Sequence, residues 1–211
     1  MKFQFLTGKD ALLQAIKKDS PTVGYEEIDI PKGVEVNLNG KIVKITGKEG
    51  EFIKDFRHVR LIEILRENDK LFVARRIRRR KDKAPIRTVA SKIRTAIEGV
   101  QRRYVAHHKV VFSHFPVRVY TQGNQIILEN FYGRRQETRV PIVGENTEVE
   151  VEMEAGSNVP SDVFIKGPDL DAVTQTSSRL VEICKLRGKR RKDVRVFQDG
   201  IWLWRMEREK K

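Results

Sequence analysis

Apolar and polar residues alternate from Val34 to Ile45, with Val34, Val36 and Leu38 before Asn39-Gly40 and Val43 and Ile45 after it. A period of two marks a half-buried strand, and an Asn-Gly pair between two such runs predicts a β-hairpin. A two-residue loop at Asn39-Gly40 sets Val36 opposite Val43 and Val34 opposite Ile45. Further strands are expected near Leu61 to Leu65 and Leu71 to Ala74. The period then changes: Val89, Ile93, Ile97 and Val100 recur at helical spacing and predict a helix from about Thr88 to Val100.

The same order returns further along. Val34, Val36, Leu38, Gly40, Val43, Ile45 and Gly50 recur 83 residues later as Val117, Val119, Thr121, Gly123, Ile126, Leu128 and Gly133. Seven positions at one offset, two of them glycines in a chain with 14, indicate an internal duplication. The second copy predicts a hairpin from Val117 to Leu128 turning at Gln122-Gly123, and strands near Glu148 to Met153 and Asp162 to Ile165. A helix from about Leu170 to Leu186 follows, with Leu170, Val173, Leu180, Val181 and Cys184 on one stripe, and then a strand candidate from Gly200 to Trp204.

The expected fold class is therefore α+β: two tandem duplicated domains, each a small mainly antiparallel sheet packed against one helix. The expected boundaries are 1–27 for an N-terminal extension, 28–105 and 106–204 for the repeats, and 205–211 for a charged tail. In the extension, Thr7 and Asp10 resemble a capping box, and Leu12, Leu13 and Ile16 give an apolar stripe, so a helix from about 8 to 18 is expected. Alone it is marginal at that length, so it docks on this protein or on a neighbour.

Charge sharpens this picture. The chain has 211 residues, a net charge of +14 and an isoelectric point near 10.0, and 34% of its residues are charged, against a usual ~25%. The excess is concentrated: Arg75 to Arg103 carries a net +10 and Lys185 to Arg195 a net +6, leaving −2 for everything else. Between its last strand and its helix the first copy inserts ARRIRRRKDKAPIR (74–87), where the second has only KGPD (166–169). Neither basic stretch is required by the repeated fold. Arginine's planar fork suits phosphate and stacks on unpaired bases, so a nucleic acid is the expected partner. Neutralising about 8 phosphates gives a log–log salt slope of about −6 to −7. RNA is favoured over DNA by exclusion, since no helix-turn-helix, zinc finger or basic zipper is present.

Catalytic chemistry finds little support. The GKEG at 47–50 lacks the phosphate-loop spacing, with Glu49 in the Ser/Thr place, and reads as a hairpin turn. His58, His107, His108 and His114 show no metal-site spacing; His107 and His108, in a basic surround that could contact phosphate, read as ordinary surface or inter-domain histidines. Cys184, the single cysteine, lies on a helix stripe and reads as a buried structural thiol; it permits no internal disulfide. Glu148, Glu150, Glu152 and Glu154 line one face of a strand, read as a solvated face. The N-terminus has no uninterrupted apolar stretch, because Lys9 and Asp10 split it, so an intracellular, soluble protein with no membrane partner is expected. No catalytic residue, metal ligand or cofactor is assigned.

Several strings then coincide with one family. KDVRVFQDGIW at 192–202 resembles the signature of the universal large-subunit ribosomal protein numbered six, called nine in older eukaryotic usage. In its archaeal and eukaryotic branch the signature runs Lys-Asp-Ile-Arg, any residue, Phe, any residue, Asp-Gly-Ile-Tyr. Lys192, Asp193, Arg195, Phe197, Asp199, Gly200 and Ile201 match, and Trp202 replaces the tyrosine. HFP at 114–116, Asn130-Phe131 with Gly133, and Arg87-Thr88 with Gly99-Val100 match as well, and the family is itself an internal duplication.

The resemblance implies a non-enzymatic structural constituent of the large ribosomal subunit. Its partners are large-subunit rRNA, bound near the sarcin-ricin loop and the translation-factor site chiefly through the C-terminal unit, neighbouring ribosomal proteins, and translation factors in transient proximity. Its place is the cytoplasmic ribosome, with a nucleolar stage during assembly in a eukaryote. By similarity, Lys189, Arg190, Arg191, Lys192, Arg195, Lys166 and Gly167 are the leading rRNA contacts. A second site, assigned from charge alone, comprises Arg75, Arg76, Arg78, Arg79, Arg80, Lys81, Lys83 and Arg87. The N-terminal extension departs from the family pattern. Two other readings stay open: a free-standing assembly factor of the same fold, and a nucleic-acid-processing enzyme, which would need carboxylates clustered at the basic surface.

Overall fold

Leu38 pairs with Val43 and Val36 with Ile45, so the first hairpin closes on Gly40-Lys41 and not on Asn39-Gly40. The residues 83 positions on repeat this: Thr121 pairs with Ile126 and Val119 with Leu128, around Gly123-Asn124. Glycine decides the register, because Gly40 and Gly123 take φ of 64° and 58° at the first loop position. A primed turn puts its left-handed residue there, and its twist matches that of the strands. The expected pairing was off by two residues, which leaves every side chain on its expected face.

The computed structural model describes residues 8–18, 22–113, 115–154, 159–185, 193 and 195–209. Thr7, His114, Leu186 and Lys189 to Lys192 lie outside the described residues. The chain forms two units, Met1–Gln101 and Arg102–Lys211. Among the described residues, no helix is long and apolar enough to cross a membrane.

The first unit runs α1 (Gly8–Lys17), β1 (Val23–Asp29), β2 (Glu35–Asn39), β3 (Ile42–Gly47), β4 (Gly50–Asp55), β5 (Glu63–Glu67), β6 (Lys70–Arg76) and α2 (Lys83–Gly99). It builds two antiparallel sheets, β2-β3-β4 and β1-β6-β5. Val36, Val43, Ile45 and Phe52 from the first meet Ile28, Ile64, Leu71 and Val73 from the second, with α2 supplying Ile86, Val89, Ile93 and Ile97. β6 is buried on both faces. Leu71 and Val73 point to this core, while Phe72 and Ala74 point the other way, onto Leu12 and Ile16 of α1 with Val23 and Leu65. The N-terminal helix therefore docks on its own unit, and Lys17 adds an ion pair to Glu67 at 2.6 Å.

The second unit runs β7 (Tyr104–Val111), β8 (Arg118–Gln122), β9 (Gln125–Glu129), β10 (Thr138–Pro141), β11 (Glu148–Met153), β12 (Pro160–Gly167), α3 (Leu170–Cys184) and β13 (Gly200–Arg208). Its sheets are β10-β9-β8 and β11-β12-β7-β13. The order β11-β12-β7 repeats β5-β6-β1, and β13 is an added edge strand. The α+β, tandem duplicated class holds, with two antiparallel sheets per unit in place of one.

Because β1 is the counterpart of β7, the first repeat begins at Val23, inside the stretch read as an extension. The drawn edges at 27, 105 and 204 fall inside β1, β7 and β13. α2 starts at Lys83, not near Thr88: Pro85 sits in its first turn, where a missing N–H costs nothing.

One glycine ties the sheet to the helix end. A Cβ on Gly47 would lie 2.6 Å from the Val100 carbonyl oxygen, which also accepts the Glu49 N–H at 3.0 Å. Gly47→Ala is expected to destabilise the protein by about 1–3 kcal/mol, the usual size for overpacking. Urea unfolding checks this; an unchanged midpoint would mean the Val100 carbonyl yields freely.

Candidate nucleic-acid interface

The arginine-rich insertion is a built turn, not a loop. After β6, the Ile77 N–H donates to the Thr22 carbonyl at 2.8 Å, and the Ile77 side chain lies over Gly24, where a Cβ would come within 2.4 Å of its Cδ1. A single 3-10 turn, Arg80–Asp82, leads into α2, whose Ile86 is buried. Two isoleucines thus pull the segment inward at each end.

Asp82 organises what lies between. One carboxylate oxygen accepts the Arg78 and Arg79 N–H groups, both at 2.9 Å, and the other accepts Arg75 at 2.7 Å. The two backbone hydrogen bonds, with the Arg75 and Arg79 charges beside them, hold the Asp82 carboxyl below its ordinary range. At the N-cap position its side chain reaches backward to the turn and does not cap the helix. Charge counting took this aspartate only as a subtraction from the basic tract.

The predicted contacts here divide into two groups. Arg75 turns inward, with 16% of its side chain exposed, and pairs with Asp82. Arg76, Arg78, Arg79, Arg80, Lys81, Lys83 and Arg87 are exposed. Among the described residues Arg87 has Glu26 at 3.6 Å, which also pairs with Arg94 at 3.0 Å, and the Arg79 charge lies beside Asp82. Arg76, Arg78, Arg80, Lys81 and Lys83 are presented with no ion pair among the described residues.

In the second unit, Lys189, Arg190, Arg191 and Lys192 lie outside the described residues, and Arg195 is the part of that tract that can be placed. Asp193 forms its turn, accepting Arg195 N–H on the carboxylate at 2.9 Å and Phe197 N–H on the carbonyl at 2.8 Å. Phe197 stacks on Tyr132 at 5.0 Å. Asp199 is buried and accepts both the N–H and the hydroxyl of Ser113, each at 3.1 Å. Ile201 enters the core, its N–H donating to Cys184 Sγ at 3.3 Å. Asp193, Phe197, Asp199 and Ile201 of KDVRVFQDGIW are thus anchors, and Arg195 and Val196 are left exposed.

Gly167 is buried: a Cβ there would sit 3.2 Å from both the Asn146 carbonyl oxygen and Val173, so it serves close packing. Lys166 is held by Glu150 at 2.6 Å. Among the described residues no hydrogen bond or ion pair joins Lys166 or Gly167 to Arg195. The acidic row is partly engaged, since Glu148 meets Arg103 at 2.8 Å as Glu150 meets Lys166.

His107 and His108 depart from the reading as ordinary surface or inter-domain histidines, whereas His58 is exposed. His108 is fully buried, and its ring bonds to Ser177 Oγ at 2.9 Å and the Val163 carbonyl at 3.3 Å. A carbonyl can only accept, so Nδ1 carries the proton and Nε2 accepts from the serine hydroxyl. Burial lowers its pKa to about 4. His107, on the opposite face of β7, bonds to Asp162. Cys184 is buried as expected, and burial raises its thiol to about 11, which leaves no thiolate nucleophile.

A model of the ribosomal protein L6 family matches residues 30–103. The large ribosomal subunit protein uL6 of Staphylothermus marinus is 37% identical over 182 residues, covering 85% of this chain and 93% of the relative. The uL6 proteins of Sulfurisphaera tokodaii and Saccharolobus solfataricus are 34% and 35% identical, covering 87% and 86% of this chain and 92% and 94% of their own lengths.

Proposed function

This chain belongs to the ribosomal protein L6 family, in its archaeal branch, and from that premise we propose that it binds large-subunit rRNA near the sarcin-ricin loop and the translation-factor site. Members of the family are structural proteins of the large ribosomal subunit and not enzymes; they associate with rRNA and with other ribosomal proteins. The matching proteins are archaeal, so the ribosome concerned is cytoplasmic, and a nucleolar stage finds no support.

The observation that carries the proposal is the set of exposed cations, Arg76, Arg78, Arg79, Arg80, Lys81 and Lys83, on a turn fixed by Asp82. Fixed cations replace mobile counterions on a phosphate backbone, and their release drives binding. The tract at Lys189 to Lys192, with Arg195, forms the principal contact by family resemblance. Arg76, Arg78, Arg79, Arg80, Lys81, Lys83 and Arg87 form the second, and Arg75 holds that turn from behind. Lys166 and Gly167 act on this account by position, through a fixed ammonium and a close-packed backbone. Transient proximity to translation factors follows from the same location.

Sedimentation tests the assignment. One copy per mature large subunit, retained at physiological salt, is expected. Presence on precursor particles alone would make the protein an assembly factor of the same fold.

A further inference from the structure

The outer face of the second unit's four-stranded sheet differs from its counterpart in the first unit. There, the face opposite the core carries Val23, Leu65, Phe72 and Ala74 with Tyr25 beside them, and α1 covers it. Here, α3 packs on the core face through Val173 and Leu180, while the outer face carries aromatic rings and lysines. Phe164 of β12 and His107 of β7 stand directly opposite one another, as do His107 and Arg205 of β13, with Trp204 at the bulge beside them.

The rings form one row across three strands. His107 stacks on Phe164 at 4.4 Å and 22°, and meets Trp204 edge-on at 4.8 Å and 86°. Lys109 lies 5.8 Å from the Trp204 ring centre and Lys166 6.0 Å from that of Phe164. Each cation is held by an acid: Lys109 by Asp162 at 2.5 Å, Lys166 by Glu150 at 2.6 Å, Arg205 by Glu207 at 3.1 Å. His107 is fixed by Asp162. Trp204 nevertheless remains 62% exposed. So large an exposed aromatic, on a rigid sheet and braced by a second ring, marks a contact surface.

We propose that Trp204, with His107 and Phe164, is a stacking platform for an unpaired base of large-subunit rRNA. The proposal rests on the rRNA-binding reading and adds a site of different chemistry to it. The exposed Trp204 ring, perpendicular to the His107–Phe164 pair that braces its edge and flanked by Lys109, matches a nucleobase, which sheet-borne aromatics hold by stacking. Because three acids balance the three cations, stacking rather than charge supplies the recognition. Affinity contributed here is therefore insensitive to salt, unlike that of the arginine turn.

The test uses the full chain carrying Trp202→Tyr, so that Trp204 alone reports. Single-stranded oligoadenylate is expected to quench Trp204 emission, and duplex RNA of equal length to leave it unchanged. In the otherwise native chain, Trp204→Ala is expected to weaken binding to a large-subunit rRNA transcript about tenfold with an unchanged salt slope, and Trp204→Phe to recover most of the loss. Unaltered melting temperatures keep folding out of the comparison. Normal transcript binding by Trp204→Ala with no quenching would overturn the platform and leave the rRNA-binding reading intact. Protection of Trp204 only by a neighbouring ribosomal protein would overturn it in favour of a protein contact. Failure of the native chain to bind the transcript would remove both.

Discussion

Replacing Arg78, Arg79 and Arg80 together by alanine is expected to lower affinity for large-subunit rRNA roughly ten- to hundredfold, and to reduce the steepness of the log–log salt dependence by about 2–3. All three guanidinium groups are exposed, and Asp82 binds the backbone of Arg78 and Arg79, not their side chains. The turn itself therefore survives the substitution, and melting should move little, as for other surface changes. Asp82→Asn makes the converse change. It keeps the three cations but removes the charge that gathers them, so affinity should fall through lost positioning. The carboxyl of Asp82 is held low in the folded protein, so its contribution is present above the ordinary carboxylate range and is lost as pH falls through the folded value. Filter binding across a salt series, beside thermal melts, distinguishes these outcomes. An unchanged slope with early melting in the triple variant would make the arginines structural.

A stability loss on mild acidification is the second large effect. Folded His108 takes up a proton only near pH 4 because it is buried, while an unfolded histidine does so near 6.5. Between these values the unfolded chain holds a proton that the folded chain does not. The stability that His108 contributes is therefore complete above about pH 6.5, declines as pH falls, and is lost near pH 4. Its full size is about 3 kcal/mol. Protonation would also convert Nε2 from acceptor to donor against Ser177 and place a charge between β7 and α3. His108→Gln should remove this arm while other acid-sensitive groups keep theirs, so the informative quantity is the difference between the two proteins' urea midpoints across that range. Parallel curves would show that His108 titrates with solvent access.

How much of this was legible beforehand depended on whether a signal was local. The hairpins, both long helices and the duplication were readable because period and offset need only the neighbouring residues. β1 was missed because Val23 to Asp29 contains Glu26 and Glu27, and its burial is set by β6 and α1, far away in sequence. The hairpin register turned on which loop position glycine takes, a matter of backbone twist. In the interface, the cations were visible as charge, but the split between Arg75 and its neighbours was not. That split is set by Asp82, seven residues from Arg75, by half-buried Ile77 over Gly24 and by buried Ile86. The row of Phe164, His107 and Trp204 needs three strands in register before it exists, and no linear motif announces it. The burial of His108 under α3 was not legible because its two neighbouring positions, His107 and Lys109, are polar and face the opposite way.

The central claim is that the basic segments of both units bind large-subunit rRNA near the sarcin-ricin loop. Crosslinking the protein to RNA in assembled large subunits and sequencing the attached fragments tests it most directly. The expected result is a small set of large-subunit fragments that includes the sarcin-ricin loop, with crosslinks at Lys189 to Arg195 and at Arg76 to Arg87. Crosslinks spread without preference over the rRNA, or absent from both basic segments, would contradict it.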